Sequence, residues 1–167
     1  MRRWARMGAA GAAALATLAA CGAIPRQLVQ DSHVVIVSPR SMTTVATPVH
    51  LRWQASGLPA GTRFAVFIDT YPLRPDASLR SLVPAGDPCL TERGCPNAAW
   101  LRTRGVLLTS AHQVEITDLP TPGGLESQSP LPVHQIVIVL VDAAGRRVGD
   151  MAYSVEFRAA GNGPGYL

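Results

Sequence analysis

Cysteine and histidine are the side chains in this sequence with the most chemistry to offer, and their spacing separates three cases. Cys21 closes a run of small and apolar residues, 7–20, that follows Arg2, Arg3 and Arg6. Only a thiol there can form a thioether, so the chemistry in view is alkylation at the end of an export segment. The run is too short to cross a hydrocarbon core, which needs roughly 20 helical residues, and it reads as a signal peptide rather than a permanent span. Cys89 and Cys95 form the second case, an even pair separated by turn-forming residues. In an oxidising compartment such a pair forms a disulfide. The spacing does not match a thioredoxin-like redox couple, and no histidine stands near enough in sequence to suggest a metal site. Closing so short a loop stabilises by roughly 2 to 3 kcal/mol on the chain-entropy model. The third case is His33, His50, His112 and His134, one from each of four segments. Gathered at one end of a domain they would suit a copper or zinc carrier, but they lack the close pairing that metal sites leave in a sequence. They read as surface or loop-bonded histidines, and neither a metal nor another cofactor is expected.

The residues around Cys21 sharpen its reading. Leu18-Ala19-Ala20-Cys21-Gly22 resembles the lipobox of bacterial lipoproteins, with a branched residue three places before the cut, small residues at the next two, and cysteine. The resemblance implies that the Cys21 thiol carries a diacylglycerol, that the peptide bond before it is cleaved, and that the new amino group is acylated. Two or three acyl chains make a stable anchor where one would be marginal. The alternative is ordinary secretory cleavage, with Cys21 left as a buried or paired thiol. The anchor implies a place on the extracytoplasmic side of the cell membrane or of an outer membrane.

Charge excludes one class of partner. All fifteen basic residues are arginine, and three of them leave with the signal peptide. Twelve arginines against eleven acidic residues leave the mature chain at a net charge of +1. Nucleic-acid binding needs a clustered surplus of cations and is not expected. Arg102 with Arg104, and Arg146 with Arg147, read as the solvated side of strands and turns.

The elements that would position these residues are strands. Short segments rich in valine, isoleucine, leucine and threonine alternate with proline- and glycine-bearing turns, and no helix is expected after the signal. The pattern predicts strands over 33–38, 48–55, 63–69, 100–109, 113–117, 133–142 and 151–158. In the second, Val49, Leu51 and Trp53 share one face while His50, Arg52 and Gln54 share the other, which marks a half-buried antiparallel strand. In the third, Phe64, Val66 and Ile68 face inward. The proline-rich stretch 71–99 contributes at most a short edge strand. The organisation is a signal peptide over 1–20, a tether over 21–31, one all-β domain over 32–159 and a disordered tail over 160–167.

Seven strands in this order fit an immunoglobulin-like sandwich. Val49-x-Leu51-x-Trp53 resembles the second strand of the fibronectin type III module, whose tryptophan plugs the core between the sheets. Ile136-x-Ile138-x-Leu140-x-Asp142-Ala143-Ala144-Gly145 resembles that module's penultimate strand and final hairpin. In that family a tyrosine stands where His134 stands here, bonding back to the loop backbone.

No G-x-S-x-G or metal-hydrolase motif appears, and Asp69, Asp118, Asp142 and Asp150 fall at strand ends, where aspartate favours turns. Glu115 and Glu156 fall on outward phases. An enzyme is therefore not expected. A carbohydrate- or peptide-binding face would need exposed aromatic residues, and Phe67, Tyr71 and Trp100 are the candidates for a stacking or anchoring patch. The other reading packs them under the long loop between Tyr71 and Trp100. The expectation is a membrane-tethered, non-enzymatic binding or structural module of the cell envelope with a protein or envelope-glycan partner. A copper carrier and a carbohydrate-binding sandwich are the alternatives.

Overall fold

The computed structural model describes residues 33–119 and 133–160. The segments expected as signal peptide and tether, with Cys21, the expected loop over 120–132 and the expected tail beyond 160 lie outside the described residues. Eight strands and one short helix are described: β1 (Val34–Ser38), β2 (Thr44–Ala46), β3 (Val49–Ala55), β4 (Arg63–Ile68), α1 (Ala98–Arg102), β5 (Val106–Thr109), β6 (Gln113–Ile116), β7 (Val133–Val141) and β8 (Tyr153–Ala160). They form two packed sheets, one ordered β1-β3-β6 and the other β2-β8-β7-β4-β5. All neighbours run antiparallel except β2 and β8, which are parallel.

Alternation builds the space between the sheets. β3 sends Val49, Leu51 and Trp53 inward, and β4 answers with Phe64, Val66 and Ile68. β7 adds Ile136, Ile138 and Leu140, and β8 adds Val155 and Phe157. Trp53 is 3 % exposed and meets Phe64 edge to face at 5.1 Å. Its outward neighbours His50, Arg52 and Gln54 are exposed, as the half-buried pattern requires.

The larger sheet is also buried on its second face. Ala65 and Phe67 of β4, with Val137, Val139 and Val141 of β7, pack under Leu73, Leu79 and Leu101 from the β4–β5 connection. This strap, residues 69–105, makes a third layer. Strands covered on both faces need near-continuous apolar runs, which is why β4 reads RFAVFI and β7 ends in IVIVLV. A smaller cluster within the strap gathers Val83, Cys89 and Cys95, with Leu90 and Trp100 packed against it.

Main-chain bonds hold the strap to the β7–β8 turn. Leu79 N–H donates to the Gly145 carbonyl, and Arg147 N–H to that of Ala77, each at 2.8 Å. Gly145 sits at φ 75°, and a Cβ there would stand 3.1 Å from Leu79 Cδ1, so this close approach favours glycine. The Arg147 side chain, expected to be solvated, is instead 7 % exposed. Its guanidinium donates to the carbonyls of Leu73, Asp150 (2.6 Å) and Met151 (3.0 Å). Burial pulls its pKa down, and the nearby Asp150 carboxylate opposes that shift.

Two further expectations are corrected. The strand expected over 100–109 begins only at Val106, and Ala98–Arg102 is a helix. Asn97 caps it, its side chain accepting from Trp100 N–H at 2.9 Å, and the two alanines that follow favour helix. The seven expected strands are eight, because β2 was too short to show a period; Arg158 N–H donating to the Thr43 carbonyl at 2.8 Å, next to β2, helps align it with β8. Within the stretch 71–99, expected to hold at most a short edge strand, there are an isolated bridge, Ser78 to Arg146, and two 3-10 turns at Leu79–Leu82 and Pro88–Leu90.

Candidate binding groove

The residues singled out by their chemistry do not meet in one site. Cys89 and Cys95 are disulfide-bonded, with Cα atoms 5.2 Å apart and both side chains buried. Asp87 accepts from Cys89 N–H at 2.9 Å and stands 3.4 Å from the Arg104 guanidinium. Arg104 in turn lies over the Trp100 ring, 4.9 Å from its centroid. The bridge therefore belongs to the strap.

The aromatic patch is not formed. Phe67 is fully buried at 0 % exposure, because the face it occupies is the floor beneath the strap. Trp100 lies on α1, half-buried between the strap's two apolar clusters. Tyr71 alone is open, at 92 % exposure. The reading that packs these aromatics under the long loop fits Phe67 and Trp100, whereas Tyr71 stays outside.

The histidines are likewise apart. His33 meets the Ser56 carbonyl at 2.9 Å, His50 stands 3.8 Å from Glu115 on the exposed face of the smaller sheet, and His112 approaches Phe64 edge to face. His134, placed by sequence among surface or loop-bonded histidines, is buried at 3 % exposure. Its Nδ1 meets Asp69 Oδ2 at 2.6 Å and its ring stacks on Phe157. Asp69 Oδ1 accepts from Gln135 N–H at 2.7 Å, so one carboxylate fixes both the ring and the start of β7. Among the described residues, no three histidine, cysteine, aspartate or glutamate side chains gather in a metal-binding set.

The concave feature that sequence reasoning missed lies on the side of the sandwich where β5 and β6 are the outermost strands of their sheets. It is a groove of about 860 Å³, within the usual range of roughly 300–1,000 Å³ for ligand sites. Leu107 and Leu108 line one wall, Val114, Ile116 and Leu119 the other, and α1 contributes Ala98 and Arg102.

Gly105 sets the start of β5. It adopts φ 71°, its carbonyl accepts from Ile68 N–H at 2.8 Å, and a Cβ would stand 2.8 Å from the Ile68 carbonyl oxygen. That bond fixes the phase of the ladder: Gly105 and Ile68 are a hydrogen-bonded pair, so alternation turns the main-chain groups of Val106 and Leu108 away from β4. On the other wall, Trp53 N–H donates to the His112 carbonyl at 3.0 Å. The same alternation turns the main-chain groups of Gln113 and Glu115 away from β3. The signal for this arrangement was the short turn 110–112 between two strands, which reads as a hairpin but here joins two sheets.

No protein-family model matches the chain, and neither a curated protein nor a solved structure matches it.

Proposed function

We propose that this chain is a lipid-anchored module of the bacterial envelope, held on the extracytoplasmic side through a thioether at Cys21, and that it binds another protein without catalysing a reaction. The observation that carries the proposal is Leu18-Ala19-Ala20-Cys21-Gly22 behind an arginine-bearing n-region. The finer fold we assign is immunoglobulin-like. Its support is the placing of β1, β3 and β6 in one sheet and β4, β7 and β8 in the other, which matches the A, B, E and C, F, G strands of that class. The binding role draws on the groove, an apolar-walled concavity beside the outermost strands of the two sheets.

Fractionation tests the anchor. The full-length chain should partition into the detergent phase, and the Cys21→Ser variant should leave it, because serine cannot form the thioether. A variant that stays in the detergent phase with the wild type would show that something other than Cys21 holds the protein there.

A further inference from the structure

We propose that the outward face of β1, with the turn that follows it, rests on the lipid surface to which Cys21 is anchored. The inference rests on the lipid-anchor reading and adds which side of the domain meets the membrane.

The first observation is where the exposed apolar side chains fall. Among the described residues, the large hydrophobics left open to solvent are Val35, Val37, Met42, Tyr71 and Met151. Scattered surface valines are ordinary and need no cause. Here three of the five stand within eight positions of one another, and they are the first three that the chain presents after the tether. Val35 and Val37 alternate with Val34 and Ile36, which pack on the core, so both valines lie on the outer face of the smaller sheet. Beside them β3 places Arg52 and Gln54, both exposed, and Arg40 is exposed in the turn after β1. The carboxylate that the described residues give this face, Glu115, stands on β6 beyond β3, 3.8 Å from His50. Apolar side chains flanked by guanidinium groups suit a surface of acyl chains under anionic headgroups.

Met42 is the second observation. It adopts φ 61°, in the left-handed region where the other two described non-glycine residues are aspartates, which tolerate it. Its N–H donates to the Glu156 carbonyl at 2.6 Å, so a bond to β8 holds the turn while the thioether stays exposed. Strain of this kind persists only where the surrounding structure enforces it, and it is a pointer to use.

The tether names the occupant. Val35 stands fourteen positions after Cys21, a span of about 20 Å for a flexible chain, against a radius of gyration of about 13 Å for a domain of this size. Lipid on Cys21 therefore keeps β1 within reach of the bilayer, at an effective concentration on the order of millimolar. A contact of two valines and a methionine, too small to recruit a free domain, suffices there. Ile24, Leu28 and Val29 also make the tether apolar, whereas charged linkers repel themselves and extend. With β1 on the lipid, the strap, which is the opposite outer layer of the domain, faces away from the membrane.

Paramagnetic relaxation read by NMR on the lipidated chain tests this. The chain is placed in bicelles of phosphatidylcholine and phosphatidylglycerol that carry a nitroxide on a fraction of their headgroups. The relaxation enhancement at the methyl groups of Val35, Val37 and Met42 should be at least threefold that at Leu101 of the strap. Val35→Thr combined with Val37→Thr keeps β-branched residues on an exposed strand face and should bring the Met42 enhancement down to that of Leu101. Should this variant not fold, the ratio in the unaltered chain still decides the question. Equal enhancement at β1 and Leu101 overturns the proposal, since the domain then tumbles freely on its tether, and so does stronger enhancement at the strap. Either result, in a chain that partitions into detergent, leaves the anchor standing. A chain that carries no lipid stays out of the bicelles and shows no enhancement anywhere, which overturns the anchor as well.

Discussion

Trp53 shows how far a single residue could be read in advance. Its place in Val49-x-Leu51-x-Trp53 marked it as the plug between the sheets, and it is buried against Phe64. Sequence did not show that its indole N–H finds no acceptor among the described residues. A buried donor left unpaired costs about 1–3 kcal/mol, so the ring stabilises while its nitrogen subtracts. Trp53→Ala should therefore destabilise by roughly 3–5 kcal/mol, the usual loss for an emptied aromatic site. Trp53→Phe keeps much of the ring, removes the orphan donor and should cost less than about 1.5 kcal/mol. Urea denaturation of the two variants measures both, and a loss at Trp53→Phe well above that figure would show that the N–H carries no penalty. Arg147 and Phe67 mark the limit of such reading. Arg146 and Arg147 are identical in type and adjacent in a turn, yet only Arg147 is turned beneath the strap, and that choice depends on the carbonyls of Leu73, Asp150 and Met151. Phe67 alternates with residues of the inner core, and its own face is buried by a segment many positions away.

At the scale of elements, strands with one wet face were legible and those covered twice were half-legible. β3 declared itself by strict alternation. β4 and β7 were placed correctly, but the second face of β4, at Phe67, was left open as either a patch or a floor, because a continuous apolar run does not name its cover. α1 was lost to its length: five residues give barely one turn of period, and Trp100 and Leu101 looked like strand. The strap was legible as a disulfide-pinned loop and as a cover only in one of two readings, since its contacts are non-local. Its bridge spans six positions and should contribute roughly 2–3 kcal/mol, with its effect local. Replacing Cys89 and Cys95 together by serine should speed amide exchange across 79–101 while β3 and β6 keep their protection. Uniformly faster exchange would mean that the strap and the sandwich open as one unit.

For the whole molecule, the strap has a consequence in time. The β7–β8 ladder closes over the turn between Val141 and Tyr153, whereas β4 and β5 pair only after enclosing all of 69–105. Loop-closure entropy grows with the chain enclosed, so local pairing comes early and the strap settles after the sandwich has formed. Contacts absent from the transition state leave the folding rate alone and act on the unfolding rate. Leu79→Ala, which empties a buried place between the strap and Gly145, should therefore speed unfolding tenfold or more in stopped-flow measurements and barely change refolding. A matching fall in the refolding rate would mean that the strap takes part in nucleation. On this view the third layer governs how long the protein survives between unfolding events.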